Sequence, residues 1–189
     1  MRKVVLDMMV SLDGYIDGPN GEMDWVPFDE EFQKYNNEDL STYDTFLYGR
    51  VAYQKTGTMN MNEFVQLYGE TPDVIEFVNR VNNMTKIVFS RTMENIEGHG
   101  RVISGHIEEE VTKLKQQPGK DMALVAGPGL VSTFVRHGLI DEYRIGVAPI
   151  ILGGGKQLFK AIADKRQLKL SGTRTFHSGI VMLNYQPIQ

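Results

Sequence analysis

Four short apolar runs in this chain end in the same way, and no other feature constrains the fold as much. VVLDMMV leads into Ser11-Leu12-Asp13-Gly14, TFLY into Gly49-Arg50, KIVF into Ser90-Arg91, and MALVA into Gly127-Pro128-Gly129. Near-continuous apolar runs of this length suit strands covered on both faces, the environment of a parallel sheet. In open α/β sheets, ligands bind beyond the carboxyl ends of the strands, where glycine-rich turns and helix N-termini present backbone N–H groups to phosphate. Four such ends in one chain of 189 residues point to a groove for a long, anionic, two-headed ligand. A dinucleotide fits that description best.

The remaining signals alternate between strand and helix. Strand 3–10 is followed by a loop from Ser11 to Trp25, articulated by Gly14, Gly18, Pro19, Asn20 and Gly21. A helix is expected with Pro27 in its first turn, Asp29, Glu30 and Glu31 near its positive end, and Phe28, Phe32 and Tyr35 as its buried stripe. Strand 44–48, an undefined segment through residue 70 and a helix opened by Thr71-Pro72 come next. Strand 85–89, a short apolar run at 101–103, helix 107–116, strand 121–126 and helix 129–137 complete the alternating part. Strand 142–149 then runs into the Gly153-Gly154-Gly155 loop, a short helix, and two strands near 166–175 and 179–186 joined at His177-Ser178-Gly179. The expectation is about eight strands and four or five helices. Early alternation implies parallel strands with right-handed crossovers, and the strand-rich end implies an antiparallel edge.

Composition excludes more than it selects. The chain is 41% hydrophobic and 23% charged, as expected of one globular domain over residues 1–189. A net charge of −4 gives no general attraction for nucleic acid or an anionic membrane, so neither is expected as a partner and any anion site must be local. With no cysteine, disulfides, thiolate chemistry and Cys-ligated zinc are excluded, and a reducing cytoplasmic setting is expected. Asp7 interrupts the first apolar run, which reads as a strand and not as a signal peptide. His99, His106, His137 and His177 show no ligand spacing, so no metal is expected.

SLDGYIDGPNGEMDW, Tyr48-Gly49-Arg50, Phe89-Ser90-Arg91 and VAGPGLV…HGLIDEYRIGVAPIILGGGKQLF together resemble the dihydrofolate reductase superfamily. Within it, the closest resemblance is to the reductase domain of the bifunctional riboflavin-biosynthesis deaminase–reductases, here as a stand-alone member. The match runs from Lys3 to about Tyr185. It implies a three-layer α/β fold with a central mixed sheet, mostly parallel with an antiparallel C-terminal edge. It also implies NADPH as cofactor, a cytoplasmic homodimer joined through the C-terminal strands, and hydride transfer to a small nitrogen heterocycle or ribosylaminopyrimidine-like substrate. The riboflavin-pathway substrate of that type is 5-amino-6-(5-phosphoribosylamino)uracil. Dihydrofolate reductase activity and non-catalytic nucleotide binding are the alternatives.

The resemblance assigns roles to particular residues. Val10, Ile16, Gly49, Arg50, Ser90, Arg91, Gly127, Gly129 and Leu130 are expected at the cofactor. Arg50 would fork onto phosphate oxygens, Gly127 and Gly129 would let the backbone approach the pyrophosphate, and Val10 and Ile16 would flank the nicotinamide. Ser90-Arg91 would meet the adenosine ribose and its 2′-phosphate, favouring NADPH over NADH. Met9, Trp25 and Gln33 are expected at the substrate. Asp13 is the candidate catalytic residue, orienting a substrate amine or relaying a proton, and an Asx-type turn is its other reading. Two positions depart from the family pattern: Gln33 stands where dihydrofolate reductases place an acid, and Ala126 where riboflavin-type reductases place a glutamate.

Overall fold

We describe the molecule from a computed structural model covering residues 1–188. Its elements run β1 (Val4–Ser11), α1 (Glu30–Leu40), β2 (Tyr43–Gly49), α2 (Arg50–Thr56), α3 (Met61–Tyr68), α4 (Pro72–Asn83) and β3 (Thr85–Phe89). They continue with β4 (Gly100–Ile103), α5 (Ile107–Gln116), β5 (Asp121–Val125), α6 (Pro128–Arg136), β6 (Glu142–Ala148), β7 (Leu168–Thr175) and β8 (Val181–Pro187). The eight strands form one sheet in the order β4-β3-β2-β5-β1-β6-β8-β7. β4 through β6 are parallel, and β8 and β7 add to β6 as an antiparallel edge, as the alternation in the sequence implies.

The period of two along each strand sends alternate side chains to opposite layers. Val4, Leu6 and Val10 of β1 join Leu47, Met122 and Leu124 under the apolar faces of α5 and α6. On the other side, Val5, Phe46, Tyr48 and Ala123 pack with Leu40 of α1 and Val81 of α4. This puts Asp7, between Val5 and Met9 in sequence, on the α1 and α4 side of the sheet.

Three local expectations are corrected. α1 begins at Glu30 and not at Pro27, because Asp29 Oδ1 accepts the Phe32 N–H at 2.8 Å and so defines the cap. Phe28, placed before that cap, turns instead into an aromatic cluster with Phe32, Phe64, Tyr68 and Phe77, at centroid distances of 4.9–5.8 Å. The undefined segment holds two helices, α2 and α3, giving six among the described residues. Asn60 caps α3 by accepting from Asn62 N and Glu63 N, so Asn60 with Glu63 was a readable start signal. The short helix expected after Gly155 is absent. Its backbone groups are used by the loop after β1: Lys156 N–H donates to Asp17 Oδ1 at 2.8 Å, Ile16 N–H to the Lys156 carbonyl at 2.9 Å, and Leu158 N–H to the Gly14 carbonyl at 3.1 Å. Gly155, with φ +122, allows this approach, since a Cβ there would lie 1.9 Å from the Asp17 carbonyl oxygen.

Candidate active site

β3, β2, β5 and β1 are neighbours in the sheet, so the four strand ends singled out in the sequence lie side by side. They open onto a cleft with two lobes. The outer lobe, of about 390 Å³, is lined by Gly49, Arg50, Val51, Phe89, Ala126 and Gly127 through Leu130, together with Asp17 and Lys156. The inner lobe, of about 520 Å³, lies on the α1 and α4 side of the sheet. It is walled by Asp7, Met9, Trp25, Phe28, Asp39, Tyr48, Phe64, Tyr68 and Met182 among others. Met8, Ile16, Met23, Lys55, Thr56 and Val125 belong to both, so the lobes adjoin along a largely apolar wall.

The outer lobe has the chemistry of a phosphate cradle. Gly127 precedes α6 and provides no side-chain cap, so the N–H groups of Gly129 and Leu130 in its first turn have no acceptor among the described residues. A Cβ built on Gly127 or Gly129 meets no protein atom within 4 Å, so the space beside this turn is free for a ligand. Arg50 is exposed, and its one hydrogen bond, to Gln54 Oε1 at 3.0 Å, leaves most of its donors without a partner among the described residues. Asp17 is buried and spans the edge of the lobe, tied to Lys156 and lying 3.8 Å from Lys55 Nζ. Burial pushes its carboxyl up, but the hydrogen bonds from Lys156 and the two ammonium charges hold it below the ordinary carboxylate range.

Of the residues expected at the cofactor, Ile16, Gly49, Arg50, Gly127, Gly129 and Leu130 are brought together here. Val10 is not among the lining residues; it is 7% exposed and packs in the core beneath α5 and α6. Ser90 and Arg91 follow directly from the lining residue Phe89 but line neither lobe, and Ser90 Oγ accepts the N–H groups of Thr92 and Met93 at 3.2 and 2.9 Å. At the substrate side, Met9 and Trp25 line the inner lobe. Gln33 does not: it is buried between α1 and α4, with Nε2 donating to the Phe28 carbonyl at 2.8 Å and Oε1 accepting from Thr71 Oγ1 at 3.2 Å. Asp13 also lies outside both lobes. Its carboxylate accepts the Ser11 hydroxyl at 2.6 Å and the N–H groups of Leu152 and Gly153 at 3.1 and 2.8 Å, and these bonds, Ser11 foremost, hold its pKa down. These bonds tie the loop after β1 to the loop after β6, a tertiary contact and not an Asx-type turn.

The sequence reading missed the acid on the floor of the inner lobe. Asp7 stands opposite Arg144 of β6 in the sheet register and accepts a hydrogen bond from Tyr43 Oη at 3.2 Å on Oδ2. Burial pushes its carboxyl above the ordinary range, against the lowering pull of Arg144 and Tyr43. Asp39, at the end of α1, is paired with Arg144, which also donates to Glu142 Oε1 and Tyr43 Oη at 2.9 Å each. The signal was present in VVLDMMV: an aspartate inside a strand buried on both faces needs a reason.

Comparison with known proteins agrees with this architecture. The family model described as "RibD C-terminal domain" matches residues 2–182. The uncharacterized protein YyaP of Bacillus subtilis (strain 168) is 40% identical over 185 residues, covering 97% of this chain and 94% of the relative. Among solved structures, the chain superimposes with a TM-score of 0.67 and 19% identity on a diaminohydroxyphosphoribosylaminopyrimidine deaminase/5-amino-6-(5-phosphoribosylamino)uracil reductase from Thermotoga maritima. The match covers 99% of this chain and 57% of that longer one. Dihydrofolate reductase from Enterococcus faecalis aligns at a TM-score of 0.65 and 15% identity, with 99% and 97% of the two chains covered, and shows the shared fold. The chain therefore belongs to the RibD C-terminal, or reductase, domain family and has the dihydrofolate reductase-like α/β fold.

Proposed function

We propose that the protein is an NADPH-dependent reductase of a small, flat nitrogen heterocycle. One observation carries this reading. A lobe with a free helix N-terminus, unfilled glycine positions and an open guanidinium adjoins, along Met8, Ile16 and Val125, a lobe walled by aromatic rings. A bound reduced nicotinamide supplies the hydride. The chain's own residues bind and orient: the α6 N-terminus, Gly127, Gly129 and Arg50 would hold phosphate oxygens, and Arg91, just beyond Phe89, would meet a 2′-phosphate. Ile16 and Val125 make the boundary between the lobes apolar, which would favour transfer in a low-dielectric site once ligands fill both lobes.

Gln33 spends its amide on Phe28 and Thr71, which weighs against the dihydrofolate alternative, since that activity would need an acid from this place on α1. Trp25, the sole tryptophan, lines the inner lobe and gives a direct test. Its fluorescence is expected to be quenched by NADPH more strongly than by NADH at equal concentration. Arg50→Ala is expected to weaken NADPH about tenfold or more, the scale of losing a charge-assisted pair, and Arg91→Ala to narrow the difference between the two cofactors. Failure of NADPH to bind refutes the proposal. Binding with no turnover of any heterocycle tried would assign a nucleotide-binding protein without catalysis.

A further inference from the structure

The two lobes carry opposite charge. The outer lobe sets Arg50, Lys55 and Lys156 against a single carboxylate, Asp17. The inner lobe presents Asp7, Asp24, Asp39 and Glu63, and no arginine or histidine lines it among the described residues. Its one cationic side chain, Lys55, is shared with the outer lobe and already donates to the Gly21 carbonyl at 2.9 Å. A phosphate group binds where guanidinium or ammonium donors converge, and an excess of carboxylates repels it. The inner lobe is built against phosphate.

Its floor also carries an acceptor open to the chamber. Asp39 has Arg144 as its partner. Asp7 does not: Oδ2 takes the single bond from Tyr43, and Oδ1 takes none among the described residues. Asp7 is half-buried and lines the chamber, so its second carboxyl oxygen is reachable from there, and a ligand N–H could donate to it in place of water. Trp25, Phe28, Phe64 and Tyr68 offer the flat apolar surface that a planar ring would cover.

We propose that the inner lobe takes a flat nitrogen heterocycle bearing amino or ring N–H groups and no phosphate, anchored by the free oxygen of Asp7. The proposal rests on the reductase reading for the identity of the inner lobe as the substrate site. It replaces the phosphoribosyl substrate that the family resemblance implies. Asp7 is then the residue that selects an amino-bearing ring over its plain counterpart.

Calorimetric titration of the NADPH-loaded protein tests it with two pairs of probes. 2-Aminopyridine is expected to bind about tenfold or more tightly than pyridine, the scale of one hydrogen bond to a carboxylate, and cytosine to bind where cytidine 5′-phosphate does not. Asp7→Asn is expected to erase the preference for 2-aminopyridine while leaving pyridine and NADPH affinities unchanged, a pattern that a merely structural role would not produce. Tighter binding of cytidine 5′-phosphate, failure of both amino probes to bind, or an undiminished amino preference in the variant overturns the proposal. If the variant does not fold, the two wild-type comparisons decide it. If NADPH does not bind, the reductase reading falls, and the same titrations on the cofactor-free protein still decide what the inner lobe takes.

Discussion

At the scale of single residues, two aspartates near the N-terminus have opposite fates because their surroundings differ. Asp13 is half-buried and holds three donors, which favour its charged form. Its contribution to the loop is therefore present above the ordinary carboxylate pKa and fades as pH falls through its depressed folded value. Asp13→Ala should loosen the contact between residues 11–17 and 152–157, seen as faster amide exchange at Leu152 and Gly153, with the sheet unaffected. Unchanged exchange there would refute this role. Asp7 is the reverse case. Burial favours its neutral form, so the folded state binds the proton more tightly than the unfolded chain. That stabilisation is complete below the ordinary carboxylate pKa and is lost as pH rises through the raised folded value. Tyr43, Arg144, Asp39, Glu142 and Tyr35 set the balance around it. Asp7→Asn should match the wild type in denaturant midpoint at acid pH and exceed it at alkaline pH. A variant less stable at alkaline pH would mean that ionised Asp7 anchors Tyr43 and Arg144.

At the scale of elements, the turn between β5 and α6 separates a requirement for folding from a requirement for binding. Gly127 has φ −73 and ψ 169, an extended conformation open to any residue, and a Cβ there meets nothing within 4 Å. Gly129 is equally unobstructed. Neither glycine is demanded by the chain's own packing. Gly129→Val is expected to change stability by less than about 1 kcal/mol, the scale of helix propensity differences, while abolishing NADPH binding by filling the approach to α6. Thermal unfolding with and without NADPH checks both halves: an equal upward shift in variant and wild type would refute the cradle. Gly155→Val is the contrasting case, since its side chain would strike the Asp17 backbone at a positive φ, and it should destabilise the loop itself.

For the whole molecule, the sheet leaves β7 as its antiparallel edge, with Leu170 half exposed and β8 held inside between β6 and β7. An edge with free N–H and C=O groups invites pairing, and two-fold symmetry closes such a contact without further growth. We expect a homodimer joined at this edge. Sedimentation at twice 21.4 kDa would support it, and a monomer at micromolar concentration would refute it. Leu170→Lys should shift the equilibrium toward the monomer.

Local chemistry explains what could be read from the chain. The strands, most of the helices and the mixed sheet follow from apolar runs, prolines and charge order, because burial on two faces and helix dipoles act within a few residues. Gly49, Arg50, Gly127 and Gly129 were legible because a strand end followed by a helix start places backbone donors wherever the fold then goes. The substrate side was not legible in this way. Phe28, Asp39 and Phe64 come from three segments brought together by the packing of α1, α3 and α4 on the sheet. Whether Asp13 or Asp7 faces a ligand depends on what lies across from each. Asp13 meets the backbone of residues 152 and 153, more than a hundred positions away, whereas Asp7 meets an apolar chamber. The sequence by itself determined the strands, their ends and the glycine turns that follow them. The tertiary structure alone decided which carboxylate was tied into the fold and which was left facing the chamber, because the cost of burying a charge depends on neighbours that only folding supplies.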